Sequence, residues 1–364
     1  MQADVKRYMR MAITLAKKAK GRTFPNPLVG AVIVKNGRIV GRGFHKKAGG
    51  PHAEIYALKE AGARAKGASL YCTFEPCSHY GRTGPCVDEI ITAGIKKVYC
   101  GIIDPAPITR GKGVRALKKA GIAVSVGFFE DDIKLINESF IKAVTKDIPF
   151  VTIKIAESLD GKTATRYGES KWITNESSRK YAHMVRRFYD CIMAGINTVL
   201  KDDPFLEPPE GSKSNKLIKV VVDSRLRIPL HARLLNTCQP VIVACVKKDA
   251  LKEKRLRQRG VLVIHTRSNK GKVDIRELLK KLGLLEIRNI LVEGGSTLTG
   301  SLIDERLVDK AIVFIAPKFI GGVNSQSSVG GEGVKKLSSA IGLKDVITKR
   351  FSGDIMLEGY LSYK

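Results

Sequence analysis

Three short pieces of the chain carry side chains that could do chemistry together: His52-Ala53-Glu54, Glu75-Pro76-Cys77 and Cys86. One imidazole and two thiols form the ligand set of a catalytic zinc that keeps a fourth position for water. Zinc with two thiolates carries no net charge, so it acidifies that water less than zinc on three neutral imidazoles would. A carboxylate beside it is then needed to take the proton and pass it on, a role that suits Glu54. Other readings of these residues stay open. His-Ala-Glu alone is a common helix start with a surface acid, and His79 could complete a closed structural site around the two cysteines.

The flanking pattern says which elements must position them. Leu28–Lys35 and Arg38–Phe44 are apolar runs joined by Asn36-Gly37, a strong hairpin signal. His52–Ala65 has helical apolar spacing at Ile55, Leu58 and Ala61, and Ser69–Thr73 reads as a strand. Cys86–Ala93 reads as a helix stopped by Gly94. His52 and Cys86 therefore each open a helix, where amide dipoles favour thiolate over thiol. Val98–Ile103 and Ala123–Val126 are further strands, Gly113–Lys119 a helix, and Asp131–Thr145 one long amphipathic helix. With Met1–Lys20 as the first helix, this is a mixed sheet with helices on its faces.

Around Asp147–Pro149 the pattern restarts. Phe150–Ala156, Cys191–Ile196, Lys219–Asp223, Val241–Val246, Val261–His265, Ile290–Glu293 and Ala311–Ile315 are strands. Ser177–Phe188, Val273–Lys281 and Thr297–Glu305 are helices, and Glu207–Asn215 is an exposed loop. Two α/β domains follow, 1–146 and 147–364.

Hydrophobic residues at 43% and charged residues at 27% describe a folded soluble chain, not a disordered one or a coiled-coil rod. Nothing reaches the ~18 apolar residues of a membrane span. The basic, helically spaced N-terminus is not a secretory signal, so a reducing cytoplasm is expected. Seven scattered cysteines do not suggest disulfides; Cys72, Cys100, Cys191, Cys238 and Cys245 read as core residues. The net charge of +29 draws anions, but its basic residues are spread along the chain, as on a solvated basic surface. The charge alone leaves nucleic acid, anionic lipid and phosphorylated small molecules open as anionic partners; the sequence taken as a whole is expected to act on a phosphorylated small molecule, with no nucleic acid and no membrane, as a homo-oligomer.

Several further residues stand out. Asn26, held between Pro25 and Pro27, suits an amide that reads a base edge or a simple turn. His45, at the end of the hairpin, suits substrate binding or a buried hydrogen bond; His79 and Arg82 lie between the two cysteines. In order, His-x-Glu, Pro-Cys and a second Cys are the signature of zinc nucleobase deaminases. Here eight residues separate Cys77 from Cys86, a looser spacing than Cys-x-x-Cys. Lys154, in an apolar strand, needs a partner such as Asp160 or Asp202, or has an orienting role. Val292-Glu293-Gly294-Gly295-Ser296-Thr297 runs from strand through two glycines into a helix, which suits a phosphate. Trp172, the one tryptophan, is a core residue or a cofactor platform.

Pro25-Asn26-Pro27-Leu28-Val29-Gly30, His52-Ala53-Glu54 and Thr73–Cys86, with Lys154–Lys162, Gly168–Thr174, Asp202-Asp203-Pro204 and Val292–Gly295, resemble the bifunctional riboflavin-biosynthesis deaminase/reductase family over essentially the whole chain. The resemblance implies a cytidine-deaminase-like α/β/α sandwich followed by a dihydrofolate-reductase-like α/β domain. It implies hydrolytic deamination of a diaminopyrimidinone carrying a 5-phosphoribosylamino group, then reduction of the ribosyl group to ribityl by NADPH. His52, Cys77 and Cys86 would hold Zn2+, with Glu54 the proton donor. Ala156, Trp172, Thr198, Asp202 and Gly295, Ser296, Thr297, Leu298, Thr299, Gly300 and Ser301 would contact NADP. Ser170, Arg186, Leu206 and Glu293 would contact the reductase substrate, joined by Lys154; Asn26 and His45 belong to the deaminase substrate.

Three stretches depart from the family's usual pattern. Thr83-Gly84-Pro85-Cys86 stands for Thr-Pro-Pro-Cys, and Asp104-Pro105-Ala106-Pro107 for Asp-Pro-Asn-Pro. Leu206-Glu207-Pro208-Pro209 stands for Leu-Thr-x-Arg, which removes a phosphate-clamping arginine; Lys201, Arg187 and Arg225 are the candidate replacements. The competing readings are a deaminase with a degenerate reductase domain, a nucleic-acid-editing deaminase, and a zinc-stabilised scaffold with dead sites.

Overall fold

The computed structural model describes residues 2–80, 84–208 and 217–363, so Arg82 and Pro209 lie outside the described residues. The chain divides into two units, Met1–Asp147 and Ile148–Lys364. No helix of the described residues is long and apolar enough to cross a membrane.

The first unit runs α1 (Gln2–Lys17), β1 (Gly30–Lys35), β2 (Arg38–Phe44), α2 (Ala53–Ala61), β3 (Ser69–Phe74), α3 (Cys86–Thr92), β4 (Lys97–Ile102), α4 (Lys112–Lys119), β5 (Ala123–Val126), α5 (Glu130–Ile136) and α6 (Glu138–Lys146). Its sheet has the order β2-β1-β3-β4-β5, antiparallel across β2, β1 and β3 and parallel from β3 to β5. Alternation along β1 assigns the two faces. Ala31 and Ile33 pack with Ala53, Ala57, Cys86 and Ile90 of α2 and α3. Val32 and Val34 pack with Val5, Met9, Ala12 and Ile133 of α1 and α5. A sheet with helices on both faces results.

The single helix expected over Asp131–Thr145 is two helices, broken at Asn137 (φ −120°, ψ 18°). Buried Asn137 accepts from the Leu28 N–H at 2.7 Å and donates to the Leu28 carbonyl at 3.2 Å. Its side-chain amide thus competes with the helical ladder and ties the chain just before β1.

The second unit runs β6 (Phe150–Ser158), α7 (Glu176–Val185), β7 (Cys191–Gly195), α8 (Ile196–Asp202), β8 (Ile218–Val222), β9 (Val241–Cys245), α9 (Ala250–Gln258), β10 (Leu262–His265), the ribbon β11 (Ser268–Asn269) and β12 (Lys272–Val273), α10 (Ile275–Leu284), β13 (Asn289–Val292), α11 (Ser296–Asp304), β14 (Lys310–Ala316), β15 (Gly342–Phe351) and β16 (Asp354–Ser362). The large sheet has the order β10-β9-β8-β7-β13-β6-β14-β16-β15. Its first seven strands are parallel, and β16 and β15 close it as an antiparallel hairpin. The chain leaves β7 toward β8 on one side and leaves β13 toward β14 on the other, so the carboxyl ends of the neighbouring strands β7 and β13 flank the topological switch point, where open α/β sheets bind ligands.

Candidate functional site

In the first unit the three ligand atoms of His52, Cys77 and Cys86 lie within 4.8 Å of one another. His52 Nδ1 is 3.4 Å from Cys77 Sγ and 3.2 Å from Cys86 Sγ. Each comes from a different local device. His52 is the extended residue that caps α2, and Cys86 is the first residue of α3. Cys77 lies in the loop after β3, its sulfur accepting from the Cys86 N–H at 3.4 Å and its carbonyl from the Val87 N–H at 3.1 Å. Hydrogen bonding with Cys86 and His52 holds the Cys77 thiol down to about 4, while the same contact and burial push Cys86 up. Among the described residues His79 is not part of this group, and its Nδ1 is buried without a partner. The closed four-ligand reading thus has no support in the geometry.

Glu54 stands in the first turn of α2, 3% exposed, and its Oε2 has no hydrogen-bond partner. Burial pushes its carboxyl up to about 7 against the opposing charge of His52. A buried carboxyl with an orphan oxygen beside three metal-type ligands fits a proton shuttle better than a structural acid.

Close backbone approach makes this possible. A Cβ on Gly43 of β2 would lie 2.1 Å from the Ala53 carbonyl oxygen, so only glycine lets α2 lie this low on the sheet. A Cβ on Gly113 of α4 would lie 1.8 Å from the Pro76 carbonyl oxygen, which seats α4 against the Cys77 loop.

His45 and Asn26 form a second layer. Buried His45 has Nδ1 3.0 Å from the Pro51 carbonyl and Nε2 3.1 Å from Asn26 Nδ2. The carbonyl can only accept, so Nδ1 carries the proton and Nε2 accepts from the Asn26 amide. Burial holds His45 below its ordinary range, in keeping with this neutral form. The Asn26 oxygen is left as the acceptor available to a ligand. Pro51, one residue before His52, had no signal in the sequence that could single it out.

In the second unit Glu293 follows β13 and takes a two-pronged grip from Arg186, at 2.7 Å and 3.1 Å. Lys154 on β6 lies 3.7 Å from the same carboxylate. Lys154 thus pairs with Glu293, not with Asp160 or Asp202, because Asp160 is committed to Ser158 and to the backbone of Ile320 and Gly321. Burial would raise the Glu293 carboxyl, but Arg186 and Lys154 outweigh it and hold it down to about 2. Arg186 and His183 also bracket the Glu207 carbonyl, at 2.8 Å and 3.1 Å.

The other expected contacts are placed unevenly. Thr198 Oγ1 lies 3.7 Å from where a Gly295 Cβ would stand, so α8 and the turn before α11 converge. Trp172 is 64% exposed, with the Arg179 guanidinium 4.4 Å from its ring centroid and Lys318 on its carbonyl. Ser170, Asp202, Ser296 and Ser301 are half-buried, Thr297 is exposed, and Ala156 is partly buried against a core cluster. Leu206, Leu298, Thr299 and Gly300 are buried; Leu206 and Leu298 belong to the core, and Gly300 packs against Gly330. Arg179 and the Glu207 carbonyl were not singled out in the sequence.

Two family models match the chain: the cytidine and deoxycytidylate deaminase zinc-binding region over 2–102, and the RibD C-terminal domain over 149–357. The riboflavin biosynthesis protein RibD of Aquifex aeolicus is 43% identical over 352 residues, 97% of this chain and 97% of that protein. The chain belongs to the RibD family. Escherichia coli RibD is 38% identical over 363 residues, 96% of this chain and 97% of that protein. A structure of Acinetobacter baumannii RibD matches with a TM-score of 0.88 at 35% identity, covering 99% of both chains. The diaminohydroxyphosphoribosylaminopyrimidine deaminase/5-amino-6-(5-phosphoribosylamino)uracil reductase of Thermotoga maritima matches with a TM-score of 0.86 at 34% identity, again over 99% of both. This RibD-family chain is a bifunctional enzyme of riboflavin biosynthesis, a hydrolytic deaminase joined to a reductase. The single-activity and nucleic-acid-editing readings are not favoured. The zinc-binding family and the donor set agree on zinc in the first unit.

Proposed function

We propose that the chain deaminates 2,5-diamino-6-(5-phosphoribosylamino)pyrimidin-4-one at its 2-amino group and then reduces the product's ribosyl group to ribityl with NADPH. Residues 1–146 do the first reaction and residues 147–364 the second. The name of the Thermotoga maritima protein supports this substrate pair. The free state of all seven cysteines suits a reducing cytoplasm.

For the deaminase, His52, Cys77 and Cys86 would hold zinc, which when bound would supply a Lewis acid to acidify the attacking water. Asn26 offers its amide oxygen to the pyrimidine edge, held in that orientation by neutral His45. Glu54 Oε2 takes a proton from the attacking water and returns it to the departing nitrogen. Water's oxygen is bonded to C2, the C–N bond breaks, and ammonia leaves. The observation that carries this reading is the orphan, buried Glu54 oxygen beside the three converging ligand atoms.

For the reductase, NADPH supplies a hydride when bound. The Gly295–Thr297 turn and Thr198 would hold its phosphates, with Ala156, Trp172 and Asp202 as its further contacts. Lys154, Ser170, Arg186 and Glu293 orient the substrate. Glu293 engages both Arg186 and Lys154 and cancels one of their two charges, so a single net positive charge remains there and a doubly charged substrate phosphate needs a further cation. The Lys201 ammonium lies 3.1 Å from where a Gly168 Cβ would stand, at the loop that carries Ser170, and it fills that role.

The test is incubation of purified protein with the diaminopyrimidine phosphate, with and without NADPH, following ammonia and absorbance at 340 nm. Ammonia should appear without NADPH, and NADPH should be oxidised only after deamination. Ammonia without any NADPH oxidation would overturn the second half of the reading; no ammonia would overturn the first.

A further inference from the structure

The segment 318–333, between β14 and β15, has few apolar anchors of its own, yet it is stitched to the loop after β6 and to both ends of α11, where the cofactor turn lies. At its start the Asp160 carboxylate accepts from the Ile320 N–H at 3.0 Å and the Gly321 N–H at 2.7 Å, and from the Ser158 hydroxyl at 2.5 Å. Those contacts, the Ser158 hydroxyl first, hold its carboxyl down to about 2. The Leu159 N–H donates to the Lys318 carbonyl at 2.8 Å. In the middle, the Gln326 carbonyl accepts from the Thr163 N–H at 2.8 Å, and Lys162 and Ser327 form an isolated bridge. At its end the Gly330 N–H donates to the Ser296 carbonyl at 3.0 Å, and Asp304 accepts from the Glu332 N–H at 2.8 Å.

One side chain of this segment reaches the turn before α11. Gln326 Nε2 donates to Ser296 Oγ at 3.3 Å and stands 3.6 Å from the place a Gly295 Cβ would occupy; Thr198 Oγ1 stands 3.7 Å from the same point. Two polar side chains from different elements thus converge over a residue with no side chain of its own. Gln326 is exposed, so its amide still has donor capacity for a ligand.

We propose that 318–333 is a strap completing the seat of the cofactor's diphosphate, in which Gln326 is a further binding residue and Asp160 the positioning residue that holds the strap down. This rests on the placement of NADPH at the Gly295–Thr297 turn given above. An amide N–H meeting a phosphate oxygen is a charge-assisted hydrogen bond, worth about tenfold or more in affinity. The carboxylate of Asp160 matters because it fixes two successive backbone N–H groups at once; an Asn in its place must turn a donor toward one of them.

The experiment titrates the full-length protein with NADPH, and separately with adenosine 2′-monophosphate, which carries neither phosphate of the diphosphate. Gln326→Ala should weaken NADPH about tenfold, leave the 2′-monophosphate unchanged, and keep kcat at saturating NADPH within about twofold. Asp160→Asn should weaken NADPH at least as much. The double variant should be no weaker than Asp160→Asn alone, because both changes remove one contact. Deaminase turnover should not move in any of them. Thr198→Val tests the seat itself. If it weakens NADPH and Gln326→Ala does not, the strap carries no ligand and the inference is wrong. If neither weakens NADPH, the seat is elsewhere and the cofactor placement fails with it. Equal loss of NADPH and 2′-monophosphate binding, with a lowered Tm, would make Asp160 a folding residue only.

Discussion

Glu54 and Glu293 are both buried carboxylates, and their neighbours give them opposite properties. Glu54 has an unpartnered oxygen and is pushed up to about 7 by burial; Glu293 is gripped by two cations and held down to about 2. Glu54→Gln should keep stoichiometric zinc, measured by atomic absorption, and lose about 10²–10⁴-fold in ammonia release, the usual weight of a general acid–base. Loss of metal in that variant would make Glu54 a ligand. Glu293 adds pH-dependent stability. Its folded value lies below the ordinary 4.5, so its contribution is full above about pH 4.5 and disappears as pH falls towards about 2. The difference corresponds to roughly 3 kcal/mol at most. Denaturant melts of wild type and Glu293→Gln should therefore differ most at neutral pH and converge between pH 4.5 and 2. At the reductase substrate, Lys201→Ala should raise KM for the phosphorylated substrate about tenfold and leave that for its dephosphorylated analogue unchanged; equal effects on both would place the phosphate elsewhere.

At the scale of elements, the metal cluster depends on how low α2 sits on the hairpin. Gly43→Ala puts a carbon 2.1 Å from the Ala53 carbonyl oxygen, one residue from His52. The helix must move out, at a cost of about 1–3 kcal/mol. A lowered Tm together with reduced zinc content is expected; full zinc at wild-type Tm would show that α2 can shift without disturbing the ligands. The elements also show where sequence periodicity works. The β1–β2 hairpin, α2 and α3 are legible because Asn36-Gly37 and the apolar spacing act locally. The break at Asn137 is not legible, since its reason is a pair of hydrogen bonds to Leu28, 109 positions away. The β15–β16 hairpin is not legible either. Strand β15 is an edge strand whose residues are mostly exposed, four of the ten charged, so no buried face imprints alternation on its sequence.

At the scale of the whole molecule, the two activities sit in separate units with separate cores. Cys77→Ser should lower zinc content and abolish ammonia release while NADPH oxidation with the already deaminated substrate continues at about the wild-type rate. Loss of both activities in a folded variant would show that the units depend on one another.

By itself the sequence determined the chemistry: a histidine, an acid and two cysteines in the order of the zinc nucleobase deaminase signature, and a second α/β unit ending a strand in Glu293-Gly294-Gly295. These are local facts, fixed by residue type and spacing. Tertiary structure decided the partnerships. It gave Lys154 to Glu293, set His45 to accept from Asn26, buried Leu206 in the core and brought Gln326 to Ser296. Such pairings join residues far apart in the chain, and only packing of whole elements brings them within hydrogen-bond reach.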